Sequence, residues 1–273
     1  MIWQLGERTL DFRHRLQVMG ILNTTPDSFF DGGAYLDPAR AVERGLQLEA
    51  EGADLIDVGG ESTRPPLYGE RQSVDAEEEC RRVLPVIEGL RRQTRIPISI
   101  DTTKAEVARR ALEAGADIVN DISALRDDPG LAAVADAHQA PVILMHRPPP
   151  ALGPGDPTAA VRAFLAQRLE AARQGGLTAL AVDPGLGFGK SLPGNFALLR
   201  RVEVFAGLGC PVLVGASRKS FIWKTLDLDP AQSLEGSLAV ATLCAAQGVH
   251  LLRVHDVKET VRAVRVAHAV ARA

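Results

Sequence analysis

The chain is poor in cysteine and has no cysteine pairs. Cys80, Cys210 and Cys244 lie far apart and form no CxxC motif. An odd count without an export signal excludes a disulfide framework and leaves reduced, structural thiols. No apolar run reaches the ~18 residues of a membrane span. The opening MIWQLGERTLDFRHRL lacks the apolar core and small-residue cleavage site of a signal peptide, so the cytoplasm is the expected compartment. There is no excess of basic charge: 31 Lys and Arg against 34 Asp and Glu give a net charge of -3, which makes no electrostatic case for nucleic acid. No linker or low-complexity stretch is long enough to divide the 273 residues, and a single domain over 1–273 is expected. A phosphate loop is also missing. GxxxxGK[ST] ending at Lys190-Ser191 would need glycine at 184, where the chain has Pro184. The glycines at 185, 187 and 189 alternate and do not fit GxGxxG.

What is present is a repeated pattern. Eight short apolar runs each stop at a polar residue with chemical capacity: VMGIL at Asn23, LIDV at Gly59-Gly60-Glu61, PISI at Asp101, DIV at Asn120, VILM at His146, LAV at Asp183, VLVGAS at Arg218-Lys219 and LLRV at His255. Helical segments are expected near 38–51, 74–92, 104–114, 129–139, 157–174, 194–207, 231–247 and 256–272. Asp37-Pro38 is a cap followed by proline at the first helical position. Asp75, Glu77, Glu78 and Glu79 follow Ser73 at the positive end of a helix dipole. Pro85 should kink that helix. Gly52, Gly115 and Gly248 end helices. Val257, Val261, Val264 and Val270 are expected on one apolar face. IWQL, Gly6-Glu7 and TLDF read as a β-hairpin. Alternation of this kind implies α/β architecture: a (β/α)8 TIM barrel with a short N-terminal β-hairpin cap and a site at the C-terminal strand ends.

Two connections, 23–36 and 59–72, exceed the usual ~2–6 residues of a βα loop. In GILNTTPDSFFDGG, Asn23 can offer an amide oxygen to a metal or an amide donor to phosphate. Thr24, Thr25, Asp27 and Ser28 add hydrogen-bonding capacity, and Phe29-Phe30 suit a lid over an apolar ligand. In GGESTRPP, Thr63 and Arg64 suit phosphate. The glycines of DPGLGFGKS permit close backbone approach to a ligand, with Phe188 at the rim. Arg253 and His255 alternate at the end of the last strand, where barrels often hold phosphate. Asp101, Asn120 and Asp183 make a polar floor for a flat heterocycle with several N–H donors, completed by lysine and arginine. A third connection, His146 to Pro157, is proline-rich and stiffer.

GILNTTPDSF, GGESTRP, SIDT, VNDI, LMH, DPGLGFGK, SRKSF and RVHDV occur in that order. With them the chain resembles the dihydropteroate synthase family of folate biosynthesis over nearly its whole length. The resemblance implies condensation of 6-hydroxymethyl-7,8-dihydropterin diphosphate with 4-aminobenzoate, giving 7,8-dihydropteroate and diphosphate through a dihydropterin cation. It implies pterin contacts from Asp101, Asn120, Met145, Asp183, Lys219 and Arg253. Diphosphate falls to Asn23, Thr63, Arg64, Arg253 and His255, and aminobenzoate to Pro65, Phe188 and Ser220. Asn23 is expected to bind Mg²⁺, and Asp101, Lys219, Arg64 and Asp27 to act in catalysis. A homodimer through outer helices is also implied. After LMH the chain departs from the family, with Arg147 and three prolines. The rival readings are a pterin-dependent methyltransferase, which would need the pterin floor but no diphosphate grip, and an inactive pterin-binding paralogue, which should have lost loop residues.

Overall fold

The computed structural model describes residues 1–25, 37–61, 74–148 and 156–273. Strands β1 (Ile2–Leu5) and β2 (Arg8–Asp11) form an antiparallel hairpin. The strands that follow are β3 (Gln17–Asn23), β4 (Leu55–Gly59), β5 (Ile98–Asp101), β6 (Ile118–Asp121), β7 (Val142–Met145), β8 (Leu180–Asp183), β9 (Leu213–Val214) and β10 (Leu251–Val254). Alternating with them are α1 (Pro38–Ala50), α2 (Ala76–Arg91), α3 (Ala105–Glu113), α4 (Gly130–Ala137), α5 (Thr158–Gln174), α6 (Leu192–Arg200), α7 (Ser220–Leu226), α8 (Leu234–Ala246) and α9 (Val257–Arg272). Neighbouring strands run β8-β7-β6-β5-β4-β3-β10-β9, every pair parallel. A parallel bridge between Val182 and Val212 joins the two ends of this sheet. The expected barrel and hairpin are both observed.

Local chemistry sets most boundaries where the sequence placed them. Asp37 accepts from the Ala39 amide with Pro38 in the first turn of α1. Asp75 accepts from the Glu78 amide at 2.7 Å and opens α2 over three glutamates. Gly52, Gly115 and Gly248 all have positive φ after their helices, as helix-ending glycines do. Three expectations need correction. The helix expected over 194–207 ends at Arg200 and continues as a 3-10 segment, Val202–Leu208, because Arg201 leaves the helical region at φ -126 and ψ 29. Helix α7 begins at the last two residues of the SRKSF motif, and its seven residues are too few to show a period. Val270 is 73% exposed while Val257, Val261 and Val264 are buried. Thirteen residues of helix turn roughly 220° past whole turns, which puts Val270 on the far side from Val257.

Strand alternation divides the core in two. Outward residues such as Val18, Ile56, Val58, Ile100 and Leu144 pack beneath the helices. Inward residues Met19, Leu55, Ile118, Ile143, Ala181, Leu213 and Leu251 form a second cluster with Trp3, Leu5, Leu10 and Phe12 of the hairpin segment. The hairpin is therefore an apolar plug in the N-terminal end of the barrel. Arg8 pins it there through an ion pair with Asp117, which also accepts from Arg91 at 2.8 Å and from the Ile98 amide at 2.9 Å. With that end sealed, the ionisable inward positions described below stand toward the C-terminal ends of the strands, while Gln17 at the start of β3 is tied to the Asp11 carbonyl beside the hairpin.

Trp3 is 4% exposed and packs edge-on against Phe12 with ring centroids 5.1 Å apart. Trp3→Ala should cost about 3–5 kcal/mol of stability in chemical denaturation. A loss below about 1 kcal/mol would show that the plug is not part of the cooperative core.

Candidate active site

The inward face of β4 reads Leu55, Asp57, Gly59, so alternation carries one carboxylate into the barrel directly above the apolar plug. Asp57 is fully buried. Its Oδ2 accepts from Arg253 Nε at 2.5 Å and from Asn120 Nδ2 at 3.2 Å. Arg253 Nη2 reaches Asp101 Oδ2 at 2.7 Å. A single guanidinium thus bridges β4 and β5 from β10. Asp57 Oδ1 and Ser99 Oγ, paired in register on β4 and β5, are buried without a hydrogen-bond partner. Burial pushes Asp101 up to about 7, helped by Asp57 and resisted by Arg253. Burial opposes the charge on Arg253, but Asp57 and Asp101 outweigh it and hold the guanidinium above its ordinary range.

Asp183 closes the opposite wall. Its Oδ1 accepts from the Gly185 amide at 2.7 Å, and burial raises it against the pull of Lys219. Lys219 is pushed down to about 8 by burial, with Asp183 opposing. Its ammonium donates to the Leu186 carbonyl at 2.5 Å and lies 4.5 Å from the centroid of the Phe188 ring. Met145 is buried at the end of β7, in register with Asp183. A Cβ added at Gly215 would lie 3.7 Å from Arg253 Cβ and 3.9 Å from Asp183 Oδ2, so this glycine keeps the space between them open.

The polar rim follows from the strand ends. The Ser217 hydroxyl accepts from the His255 backbone amide at 3.2 Å and lies 3.1 Å from His255 Nδ1. The hydroxyl donates to Nδ1 when the ring proton is on Nε2, and accepts from it in the other tautomer. Asn23 ends β3 in register with Gly59, and Thr24 ties the chain after it to the Gly59 carbonyl through both amide and hydroxyl, at 2.8 and 3.0 Å. Lys104 spans Glu61 at 2.6 Å and Glu79 at 2.5 Å, which fixes the chain just before residue 62. Among the described residues no group of three or more His, Cys, Asp or Glu could hold a metal ion. Asn23 supplies one hard oxygen, which suits a magnesium ion arriving on phosphate rather than one caged by protein.

The sequence-read site residues Asp101, Asn120, Asp183, Met145, Lys219, Arg253, His255, Asn23, Phe188 and Ser220 all occur at or just beyond the C-terminal strand ends. Asp27, Thr63, Arg64 and Pro65 lie outside the described residues, as do most of the two long loops. His146 does not join the site. It follows inward-facing Met145, so it turns outward, buried edge-on against Phe164 at 4.8 Å, and burial lowers it to about 3. Arg218 is also turned away, in an exposed ion pair with Asp256. Gly185 and Gly187 approach the protein itself: a Cβ at Gly185 would sit 2.0 Å from the His146 carbonyl oxygen, and one at Gly187 would sit 2.8 Å from Lys219 Cδ. Asp57, Ser217 and Lys190 were not read as site residues. Asp57 could have been found, because a charged residue inside a buried strand needs a partner.

The matching family model, Pterin binding enzyme, covers residues 19–255. Dihydropteroate synthases of Synechocystis sp. and Escherichia coli are each 44% identical, over 97% and 96% of this chain and 94% and 93% of their own. A Xanthomonas albilineans dihydropteroate synthase solved with 4-aminobenzoic acid superposes with a TM-score of 0.94 at 46% identity, covering 100% of this chain and 98% of that one. The same enzyme in complex with 7,8-dihydropteroate gives 0.91 at 44% identity, with 100% of both chains covered. The chain belongs to the pterin-binding enzymes and, within them, to the dihydropteroate synthase family.

Proposed function

We propose that this enzyme joins 6-hydroxymethyl-7,8-dihydropterin diphosphate to 4-aminobenzoate, releasing diphosphate and forming 7,8-dihydropteroate. The observation that carries the reading is the buried set of acceptors and donors in one barrel mouth: Asp183, Asn120 and Asp101 against Lys219 and Arg253. The relatives named for the same reaction at 44% identity support it. Asp183 accepts from the pterin ring N–H and its 2-amino group. Asn120 and Asp101 meet the pyrimidine edge, Lys219 donates to the ring oxygen, and Met145 and Arg253 cover the faces. Asn23, Thr63, Arg64, Arg253 and His255 hold the diphosphate. Pro65, Phe188 and Ser220 shape the aminobenzoate site.

The chemistry follows from those roles. The C–O bond to diphosphate breaks with its electron pair leaving on oxygen, and the cationic rim stabilises that growing charge. The electron-rich dihydropterin bears the resulting CH₂ cation, and Asp101 stabilises it. The amine lone pair of 4-aminobenzoate then forms the C–N bond, and the nitrogen sheds a proton. No strongly basic residue is needed for this route. Asn23 would hold Mg²⁺ carried on the diphosphate, where the metal neutralises phosphate charge. Asp27 and Arg64 act from the loops. The chain works in the cytoplasm as a homodimer, and the exposed Leu243 of α8 and Val266 of α9 offer an apolar surface for pairing.

With both substrates present, diphosphate and dihydropteroate should appear in equal amounts, from a species sedimenting at twice the chain mass. Diphosphate release with no dihydropteroate formed when both substrates are present would overturn the reaction, and a monomer would overturn the pairing.

The two charges of the floor also set a pH profile. Asp101, at about 7, loses its carboxylate form as pH falls through that value, and pterin binding loses an acceptor. Lys219, at about 8, loses its ammonium as pH rises through that value. The ratio kcat/KM for the pterin substrate reports the free enzyme. It should therefore fall on the acid side of about 7 and the alkaline side of about 8. A flat profile from pH 6 to 9 would contradict both roles.

A further inference from the structure

Lys190 ends the DPGLGFGK motif but has no part in the reaction as described. Its ammonium has three donors, and each meets a backbone carbonyl: Gly185 at 2.7 Å, Phe188 at 2.9 Å and His146 at 3.2 Å. Two of these belong to the loop after β8 and the third to the end of β7. The loop has no regular structure of its own, and Gly185, Gly187 and Gly189 all have positive φ. Such a loop buries carbonyls that need donors, and Lys190 gathers them around one point.

The same loop supplies two contacts to Lys219. The Leu186 carbonyl accepts from the Lys219 ammonium at 2.5 Å, and the Phe188 ring lies 4.5 Å from it. The Gly187 amide donates to Asn195 Oδ1 at 2.7 Å, which secures the outer side of the loop. Lys190 secures the inner side. Burial pushes its ammonium down to about 7, with Asp183 opposing.

We propose that Lys190 is a positioning residue for the second substrate: by tying three carbonyls to one ammonium it fixes Phe188 and the Leu186 carbonyl against Lys219, and so shapes the aminobenzoate site without touching substrate. The proposal rests on the assignment of Phe188 to that site. A guanidinium cannot replace the ammonium, because its planar fork does not converge three donors on one centre.

The test compares Lys190→Met, Lys190→Arg and Phe188→Ala in the full enzyme. Lys190→Met should raise KM for 4-aminobenzoate about tenfold, within the ~10²-fold that a 1 Å misplacement can cause. Its KM for the pterin diphosphate should change less than about threefold, since the donors and acceptors of the floor remain. Lys190→Arg keeps the charge and should not rescue. Lys190→Cys alkylated with 2-bromoethylamine rebuilds an ammonium of nearly the same reach and should rescue; Cys80, Cys210 and Cys244 are buried and free of disulfides. Amide exchange at Phe188, whose N–H donates to the Gly185 carbonyl at 3.1 Å, should quicken in Lys190→Met and return to normal after alkylation. If Phe188→Ala raises KM for 4-aminobenzoate and Lys190→Met does not, Lys190 is not a positioning residue. If neither variant changes it, the assignment of Phe188 falls, and the proposal with it. Equal losses for both substrates would mean that Lys190 supports the whole floor through Gly185 and Leu186, and rescue by arginine that it acts through charge alone; either result overturns the proposal.

Discussion

The mouth of the barrel depends on one guanidinium held between two carboxylates. Arg253 comes from the last strand and binds Asp57 on β4 and Asp101 on β5. Each carboxylate alone would be costly to bury, and Asp57 is fully buried. A buried ion pair gives little net stability once desolvation is counted. Its value is geometric: it fixes the side-chain directions that a flat, hydrogen-bonding ligand must meet, before the ligand arrives. Asn120 is drawn into the same arrangement through Asp57. The orphaned Asp57 Oδ1 and Ser99 Oγ show that the network is incomplete on its inner side, at a cost that an all-apolar core would not carry.

Stability is supplied from the other end. The hairpin plug and inward layer are apolar, and the ionic contacts of Asp117 with Arg8 and Arg91 lie at the edge of the barrel floor. This division lets the upper strand ends hold groups that weaken a core. Asp101, Asp183 and Lys219 are all shifted toward their neutral forms by burial. Such shifts are tolerable only in a scaffold whose stability comes from elsewhere.

Most of this arrangement was legible in the sequence because it rests on strand ends. An apolar run stopping at Asp101, Asn120 or Asp183 fixes both the strand and the end at which the group stands. The period of two gives the facing, and it separates Met145 from His146: one points inward, the next must point outward. Counting polar strand ends without that alternation is what placed His146 with the others. Asp57 escaped notice because it interrupts a strand instead of ending one, and its partner is 196 positions away. Helix α7 escaped because seven residues carry too little periodicity, and the break at Arg201 carries no glycine or proline to mark it. The role of Lys190 was hidden for a different reason: its partners are backbone carbonyls, which every residue has.

The most direct test of the central claim is a double-mutant cycle between Asp57 and Arg253, read as calorimetric binding of the pterin diphosphate to folded Asp57→Asn, Arg253→Lys and the double variant. If the carboxylate acts by holding the guanidinium in place, the two losses should be coupled by about 1–3 kcal/mol, as for residues in one hydrogen-bonded network. Losses that add to within about 0.5 kcal/mol would mean that Asp57 and Arg253 serve the ligand independently, and that the site is not organised around their contact.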